Sequence, residues 1–367
     1  MIFRVRLNSW KRACLFLVLF VTSLTFSIGC SLQTKNITSP PIGNIAKTLD
    51  LSMFGPALPA NLFINNKKPS EDLIDLGREL YYEKRLSKSQ TISCNSCHNL
   101  SNYGVDNEAT SPGHKGQRGD RNSPTVYNAA GHIAQFWDGR AATVEEQALG
   151  PILNSVEMAM PSNKKVLEVV NSMPEYVTAF KKAFPEDSNP VTYDNIGKAI
   201  GTFERGLVTP APFDKYFAGD KSALTTQQVR GLKLFEQSCA TCHAGTYFGG
   251  DMYQKLGKEK PWPDLNDLGR YKVTGDKSDR MVFKVPSLRN IAKTGPYYHD
   301  GGVKTLDEAV KLMAKHQTTK ELSDGEVKDI VAFLDSLTGE LPAEYIEEPS
   351  LPKSTSKTPK PDVSTPH

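Results

Sequence analysis

The chain has 367 residues, of which 38% are hydrophobic and 23% are charged. This length and balance exclude a polytopic membrane protein, a collagen and a wholly disordered chain, and they predict a globular protein of about two domains. The formal net charge is +3, and no basic tract outside the first 30 residues favours binding to nucleic acid.

The first 30 residues are predicted to be a bacterial secretory signal. Four basic residues precede an apolar run over 13–20, and small Gly29 stands before Cys30. The run is shorter than the roughly 20 residues of a membrane-spanning helix, which disfavours an uncleaved anchor. Cys30 also matches the cleavage position of a lipoprotein, although Ser27 stands where such sites usually carry Leu. The expected location is therefore the periplasm, with the protein either free or tethered by lipid.

The two ends of the remaining chain have loop-like compositions. Residues 31–66 are rich in Ser, Thr, Asn and Pro with little periodicity, which predicts a flexible tether. Residues 341–367 carry six of the 24 prolines among Lys, Ser and Thr, which predicts a disordered tail.

Between these ends the periodic segments predict helices joined by long loops. Ser70 is placed to cap a helix with apolar residues at helical spacing. Thr225 with Gln228, and Ser323 with Glu326, form capping boxes before two further apolar helices. Because no alternating run of strand length is evident, the predicted fold is mainly α-helical.

The chain contains an internal repeat. Residues 77–81 precede the Cys-x-x-Cys-His motif at 94–98, and residues 231–235 precede a second one at 239–243. At a constant offset of 162, further matches are Pro124 with Pro286, Asn128 with Asn290, Asp138 with Asp300 and Thr143 with Thr305. The repeat predicts two domains of one design.

Cys-x-x-Cys-His is the attachment sequence of c-type haem, because its two thiols reach both vinyl groups and the adjacent imidazole ligates the iron. The motif residues are Cys94, Cys97, His98, Cys239, Cys242 and His243. A four-Cys zinc site and two redox disulfides are the alternatives, and neither explains a histidine after both pairs. The sequence therefore predicts two domains, 67–210 and 211–340, each with one covalently attached c-type haem.

The repeat also predicts that the two haem sites differ. Met313 follows an apolar helix at a distance from Asp300-Gly301 where a sixth ligand could return to the haem, and the residue 162 positions earlier is Pro151. Proline cannot ligate iron, so the first haem lacks the methionine of its twin. An ordinary core methionine is the alternative for Met313. A closed His/Met haem suits electron transfer, whereas a more open iron can bind a small oxidant.

Two candidate catalytic side chains flank Pro151. Glu157 follows it, and Gln147 precedes it. Cleavage of a peroxide O–O bond needs a group that removes a proton from the inner oxygen and delivers one to the outer oxygen, which a carboxylate can do. Burial beside haem would raise the pKa of such a carboxylate. A solvated surface charge is the alternative for Glu157.

The chain resembles the bacterial di-haem cytochrome c peroxidases from about Gly77 to Gly339. The resemblance rests on several separated motifs: Arg85-Leu86-Ser87, 94–98, Arg121-Asn122-Ser123-Pro124-Thr125, Gln135-Phe136-Trp137-Asp138-Gly139-Arg140, Val156-Glu157-Met158, 239–243, Val285 to Asn290 and Tyr298-His299-Asp300-Gly301. It implies a mainly α fold of two cytochrome c-like domains, a peroxidatic one of 67–210 and an electron-transfer one of 211–340.

The resemblance further implies roles for individual residues. Glu157 would be the acid/base and Gln147 would line its pocket. His114 would ligate the first iron in the oxidised enzyme and leave when the second haem is reduced. Trp137 would carry electrons between the haems, and Met313 would be the sixth ligand of the second iron.

A calcium ion between the domains is also implied, bound by the side chain of Asn122 and the backbone carbonyls of Thr294 and Pro296. Oxygen ligands of this kind suit calcium, although carbonyl ligands leave almost no trace in a sequence. His132 and His316 are interpreted as surface or structural residues. Family members are commonly dimers, so a homodimer is a further expectation.

The leading function is reduction of hydrogen peroxide to water with electrons from a small periplasmic donor, either a monohaem cytochrome c or a cupredoxin. The related methylamine-utilisation proteins, which oxidise residues of a partner protein, carry tyrosine where this chain has Met313. A third alternative is a non-catalytic di-haem electron-transfer protein, against which the Pro151 and Met313 difference and Glu157 argue.

Overall fold

The computed structural model describes residues 49–364. The predicted secretory signal, Cys30 and the first part of the predicted tether lie outside these residues. The described residues belong to a single compact unit. None of their helices is long and apolar enough to cross a membrane.

The predicted mainly helical fold is confirmed. The helices are α1 (Glu71–Tyr82), α2 (Cys94–Cys97), α3 (Val144–Leu153), α4 (Asn163–Asn171), α5 (Pro174–Ala183), α6 (Tyr193–Glu204), α7 (Pro212–Phe217), α8 (Thr226–Ser238), α9 (Tyr271–Thr274), α10 (Leu306–Met313) and α11 (Asp324–Asp335). Short 3₁₀ turns and long loops connect them. The predicted caps are present: the side chain of Ser70 accepts from the Leu73 amide, and capping boxes open α8 and α11.

The described strands form one small ribbon. β1 (Tyr253–Lys255) pairs antiparallel with β2 (Val282–Lys284), and the register places Tyr253 opposite Lys284. The backbone amide of Lys284 donates to the carbonyl of Trp137 at 2.8 Å. The ribbon is therefore tied to the loop that carries Trp137.

The same helix crossing occurs in both halves of the chain. In the first half α1 packs on α6, and a Cβ on Gly77 would collide with the carbonyl oxygen of Ala199. In the second half α8 packs on α11, and a Cβ on Gly231 would collide with the carbonyl oxygen of Asp329. Glycine at each crossing lets the two backbones approach closely. Each crossing lies in its own apolar core.

The ends of the described chain differ from the predicted tether and disordered tail. Phe54 is 2% exposed and stacks on Phe248 in the second core, with 4.9 Å between ring centroids. Tyr345 stacks on Phe203 of the first core at 5.1 Å, and the hydroxyl of Tyr82 donates to the carbonyl of Ile346.

Residues 49–66 and 341–364 therefore pack onto the body. Phe54 packs in the second core and Phe63 in the first, whereas Tyr345 and Ile346 pack on the first core. The predictions of a tether and a disordered tail, made from composition, were wrong for these residues because each segment has only a few buried apolar residues among many Pro, Ser, Thr and Lys residues.

Candidate functional site

Both Cys-x-x-Cys-His motifs adopt the same backbone turn. In the first, α2 spans the two cysteines and the amide of His98 donates to the carbonyl of Cys94 at 2.9 Å. In the second, the amide of His243 donates to the carbonyl of Cys239 at 3.0 Å. Each turn therefore presents two thiols and an imidazole along one short stretch of backbone.

The two histidines are held differently. The Nδ1 of His243 donates to the carbonyl of Phe248 at 3.0 Å, which leaves the lone pair on Nε2. The carbonyl of His98 accepts from the buried Tyr81 hydroxyl, and its Nδ1 is buried without a partner among the described residues. Burial lowers the pKa of both imidazoles, so both are neutral and able to ligate a metal.

The motif residues fit covalently attached haem. All four cysteines within the described chain are free thiols, and burial raises the pKa of Cys97 to about 11. Two thiols at the ends of one turn match the two vinyl groups of haem, and the neutral imidazole that follows matches its iron. The buried Nδ1 of His98, without a partner, is consistent with a site shaped around a further group.

His114 and Glu157 lie together next to the first motif. His114 is fully buried, and its amide donates to the carbonyl of Glu157 at 2.7 Å. A Cβ on Gly113 would collide with the carbonyl oxygen of Val156, so this close approach of two loops requires glycine. Glu157 raises the pKa of Cys97 electrostatically, which puts its carboxyl near the first thiol pair.

The Glu157 carboxyl is positioned by a hydrogen-bond donor that the sequence analysis did not identify. Its Oε1 accepts a hydrogen bond from the Asn154 amide at 2.6 Å. Burial raises the pKa of Glu157, while the positive charge of Arg140 and the Asn154 hydrogen bond partly oppose the rise. Asn154 follows α3 directly, and an asparagine three residues before the glutamate was the available signal.

The imidazole of His114 contacts the C-terminal end of the described chain. Its Nε2 donates to the carbonyl of Ser364 at 2.7 Å, and its Nδ1 is buried without a partner in residues 49–364. The side chain of Lys88 lies 3.5 Å from the carboxylate of Asp362, and the Asp362 amide donates to the Lys88 carbonyl. The described part of the tail thus contacts the residue predicted to ligate the first iron.

Gln147 and Pro151 lie one turn apart on α3. Pro151 is inside the helix, and Gln147 is half-buried. The Gln147 side chain makes no hydrogen bond to the part of the chain that the structure describes. Its predicted place beside Glu157 therefore stays a prediction.

Met313 ends α10 and begins an irregular segment. A π-helical turn over Ala314–Thr318 follows it, a form that is rare and often found at functional sites. Met313 is partly buried against the aromatic cluster that includes Trp262 and Tyr298. Position 313 is therefore at a helix end in an apolar setting, whereas Pro151 lies within α3.

Trp137 packs against the same aromatic cluster and contacts both halves of the chain. Its Nε1 donates to the carbonyl of Asn122 at 2.9 Å, and its ring centroid is 6.5 Å from that of His299. His299 is buried and stacks on Phe283 at 4.5 Å. Its Nδ1 is a further buried atom without a partner among residues 49–364.

The predicted calcium ligands lie near one surface cleft. Asn122 donates from Nδ2 to the carbonyls of Glu108 and Ala109, which leaves its Oδ1 available. Ala109 and Pro296 line the same cleft. In residues 49–364 no group of three or more His, Cys, Asp or Glu could hold a metal ion, so a calcium site here would use amide and carbonyl oxygens. The structure leaves this prediction untested.

Comparison with protein families agrees with the two halves. A family model described as di-haem cytochrome c peroxidase matches residues 71–222, and one described as cytochrome c matches residues 228–338. Each match contains one Cys-x-x-Cys-His motif.

Several curated proteins are similar over most of the chain. Cytochrome c551 peroxidase of Nitrosomonas europaea is 51% identical over 79% of this chain and 86% of its own length. Cytochrome c551 peroxidase of Pseudomonas aeruginosa is 48% identical over 80% of this chain and 85% of its own. The methylamine utilization protein MauG of Methylorubrum extorquens is 36% identical over 76% of this chain and 81% of its own length.

Among solved structures, a MauG-like protein associated with microbial copper homeostasis is 28% identical with a TM-score of 0.69. The match covers 80% of this chain and 97% of that protein.

Proposed function

This chain belongs to the di-haem cytochrome c peroxidase family, and from that membership we propose how its two halves divide the reaction. It is a cytochrome c peroxidase that carries two c-type haems and acts on hydrogen peroxide. The peroxidase relatives are 51% and 48% identical, against 36% for the methylamine-utilisation relative, which favours peroxide reduction over oxidation of a partner protein.

The first half is proposed to hold the peroxide-reducing site, and the observation that carries this is the pairing of half-buried Glu157 with the His114 loop. The haem held by Cys94, Cys97 and His98 would supply the iron that binds peroxide and the electrons that break its O–O bond. Asn154 occupies Oε1 of Glu157, which leaves the second carboxyl oxygen for substrate.

Glu157 would act as the proton carrier in this site. Its carboxylate takes the proton from the inner peroxide oxygen and gives it to the outer one, which leaves as water. Overall, one hydrogen peroxide, two electrons and two protons yield two waters. The raised pKa of Glu157 suits a group that must both accept and release a proton near neutral pH.

The second half is proposed to receive electrons from a donor cytochrome. His243 and Met313 would hold its iron, and a haem held by His and Met favours electron transfer over oxidant binding. Trp137, which contacts both halves, would lie on the path to the first site. Calcium at Asn122, Thr294 and Pro296, the periplasmic location, the homodimer and the lipid anchor at Cys30 belong to this proposal as well.

The test is turnover of the Glu157→Gln variant, purified with both haems and assayed with reduced monohaem cytochrome c. We expect kcat to fall by about 100-fold or more, the range for loss of a general acid/base. Glu186→Gln, at an exposed glutamate in the same half, is the matched control and should keep wild-type turnover. Carbon monoxide binding by the half-reduced variant would verify an intact site, and wild-type kcat in Glu157→Gln would remove the assignment.

A further inference from the structure

A buried amine and a half-buried imidazole meet where the two halves touch. The Nζ of Lys284 lies 3.3 Å from Nδ1 of His132, and Lys284 is only 8% exposed. The Nε2 of His132 is buried with no partner among the described residues. No carboxylate within residues 49–364 comes within ion-pair distance of Lys284. A buried cation without a counterion is costly, so the pair needs an explanation other than stability.

The pair can hold only one added proton. Burial lowers the pKa of Lys284 to about 8. Burial, and then the positive charge of Lys284, lower the pKa of His132 well below its usual value. His132 is therefore neutral at neutral pH. The Lys284 amine changes from protonated to neutral as the pH rises through the slightly alkaline range.

Two glycines connect this pair to the iron ligand of the second half. A Cβ on Gly249 would lie 3.3 Å from Nδ1 of His243, and a Cβ on Gly250 would collide with the ring of His132. The amide of Ile133 donates to the carbonyl of Gly250 at 2.8 Å, which fixes the loop of the first half against this segment. Since consecutive Cα atoms are about 3.8 Å apart, this path places the two imidazoles within about 13 Å of each other.

The other groups around the pair do not compete for its proton. The ring of Tyr247 lies 5.6 Å from that of His132, and burial raises the pKa of its hydroxyl, so it stays neutral. Tyr253 lies opposite Lys284 in the ribbon. Asp251, next to Gly250, acts on the pKa of His243 and not on that of the pair.

We propose that Lys284 and His132 form a proton-binding site that takes up one proton when the haem of the second half is reduced. The reaction balances as ferric iron, one electron, the neutral pair and one proton giving ferrous iron and the protonated pair. One added negative charge on the order of 13 Å away, at an effective dielectric constant near 20, raises the proton affinity of the amine roughly tenfold. The backbone contact of Lys284 with Trp137 places the site beside the proposed electron path.

The experiment measures the reduction potential of the second haem from pH 6 to pH 9.5, without peroxide. Lys284→Met removes the amine, and Lys284→Arg keeps a charge that does not titrate in this range. Lys255→Met, at an exposed lysine on the paired strand, is the matched control. A pH-indicator dye would record proton uptake on reduction in the same samples.

We expect the wild type and Lys255→Met to show a potential that falls with pH in the alkaline range, together with proton uptake. Both Lys284 variants should lose that dependence and that uptake. Wild-type behaviour in Lys284→Arg, which preserves the charge and the size of the side chain, would overturn the proposal even if Lys284→Met failed to fold.

The inference rests on the assignment of His243 to an iron, which is part of the proposed function. It does not rest on peroxide turnover, because no peroxide is present in the measurement. A protein that lacked peroxidase activity could still show the proton uptake, and an active peroxidase could lack it.

Discussion

The two halves of this peroxidase share a scaffold and differ in the segment that carries the second proposed iron ligand. Both have the same turn at the motif and the same glycine-dependent helix crossing. In the first half that segment is a loop, where His114 is hydrogen-bonded to Glu157 and to Ser364. In the second half it is a helix end, where Met313 packs in an aromatic cluster. The scaffold attaches the cofactor, and the connecting segments set the chemistry.

The shared crossing gives the largest expected effect. Gly77→Ala places a methyl group against the carbonyl of Ala199, a backbone atom that cannot swing away. We expect the first domain to lose its native packing, at a cost above about 3 kcal/mol, since overpacking of this kind usually costs 1–3 kcal/mol with flexible neighbours. Far-UV circular dichroism and the yield of di-haem protein would measure it.

Gly325→Ala is the matched control for this variant. Gly325 lies in α11 with nothing near its missing Cβ, so the same change should be neutral or stabilise by about 0.4–1 kcal/mol. If Gly77→Ala folded as well as Gly325→Ala, the inference that the helix crossing at Gly77 has no room for a Cβ would be wrong.

Met313→Leu tests the difference in axial ligands directly. Leucine keeps the apolar volume but cannot ligate iron, so the second haem should become able to bind carbon monoxide, and its potential should fall. Met173→Leu, at a fully buried methionine of the first core, is the control and should leave both haem spectra unchanged. An unaltered spectrum in Met313→Leu would make Met313 an ordinary core residue.

The buried charges of the two regions respond to pH in opposite directions. Glu204, near Cys94 in the first half, is 4% exposed, and burial raises its pKa from 4.5 to about 8. The folded state therefore binds one more proton than the unfolded state between these values, and stability falls as pH rises through them. Lys284, with a lowered pKa, makes stability rise between about pH 8 and 10.5.

Glu204→Gln should remove the fall in stability with rising pH that Glu204 causes. Below pH 4.5 the variant and the wild type should be equally stable, and at pH 8.5 the variant should be more stable by ~5 kcal/mol. Guanidinium unfolding at the two pH values measures the difference, with exposed Glu186→Gln as the control. An identical pH dependence in Glu204→Gln would mean that another group accounts for it.

The local features of both halves could be predicted from the sequence. The motif turns, the caps at Ser70, Thr225 and Ser323, and the helices that follow depend on residues a few positions apart. The contact of His132 with Lys284 joins residues 152 positions apart, and no local pattern marks it. His132 was interpreted as a surface or structural histidine, and the role proposed for it rests on a contact with buried Lys284 that only the fold reveals.

The irregular parts of the sites were missed for a related reason. The π-helical turn after Met313 has no known sequence signature, and the tail was judged by its average composition. The tail packs onto the body through a few residues, because Tyr345 and Ile346 pack on the first core although the surrounding residues are polar.

Deleting residues 362–367 tests the contact that distinguishes the first site most. Without the Ser364 carbonyl, the Nε2 of His114 is a buried group with no partner unless it binds the iron. An unsatisfied buried group costs about 1–3 kcal/mol. The equilibrium between iron-free and iron-bound His114 should therefore shift roughly tenfold toward the iron-bound form. Paramagnetic resonance of the half-reduced protein would show more low-spin first haem, and cyanide would bind more weakly.

Asp362→Asn is the control for this deletion, because it weakens the pair with Lys88 but keeps the backbone carbonyl of Ser364. A surface ion pair contributes about 0–1 kcal/mol, so cyanide affinity should change little. Equal effects of the two changes would assign the shift to the charge of the tail. A larger effect of the deletion would mean that the C-terminal tail helps to keep the first iron accessible, a function that the second half would not need if Met313 ligates its iron.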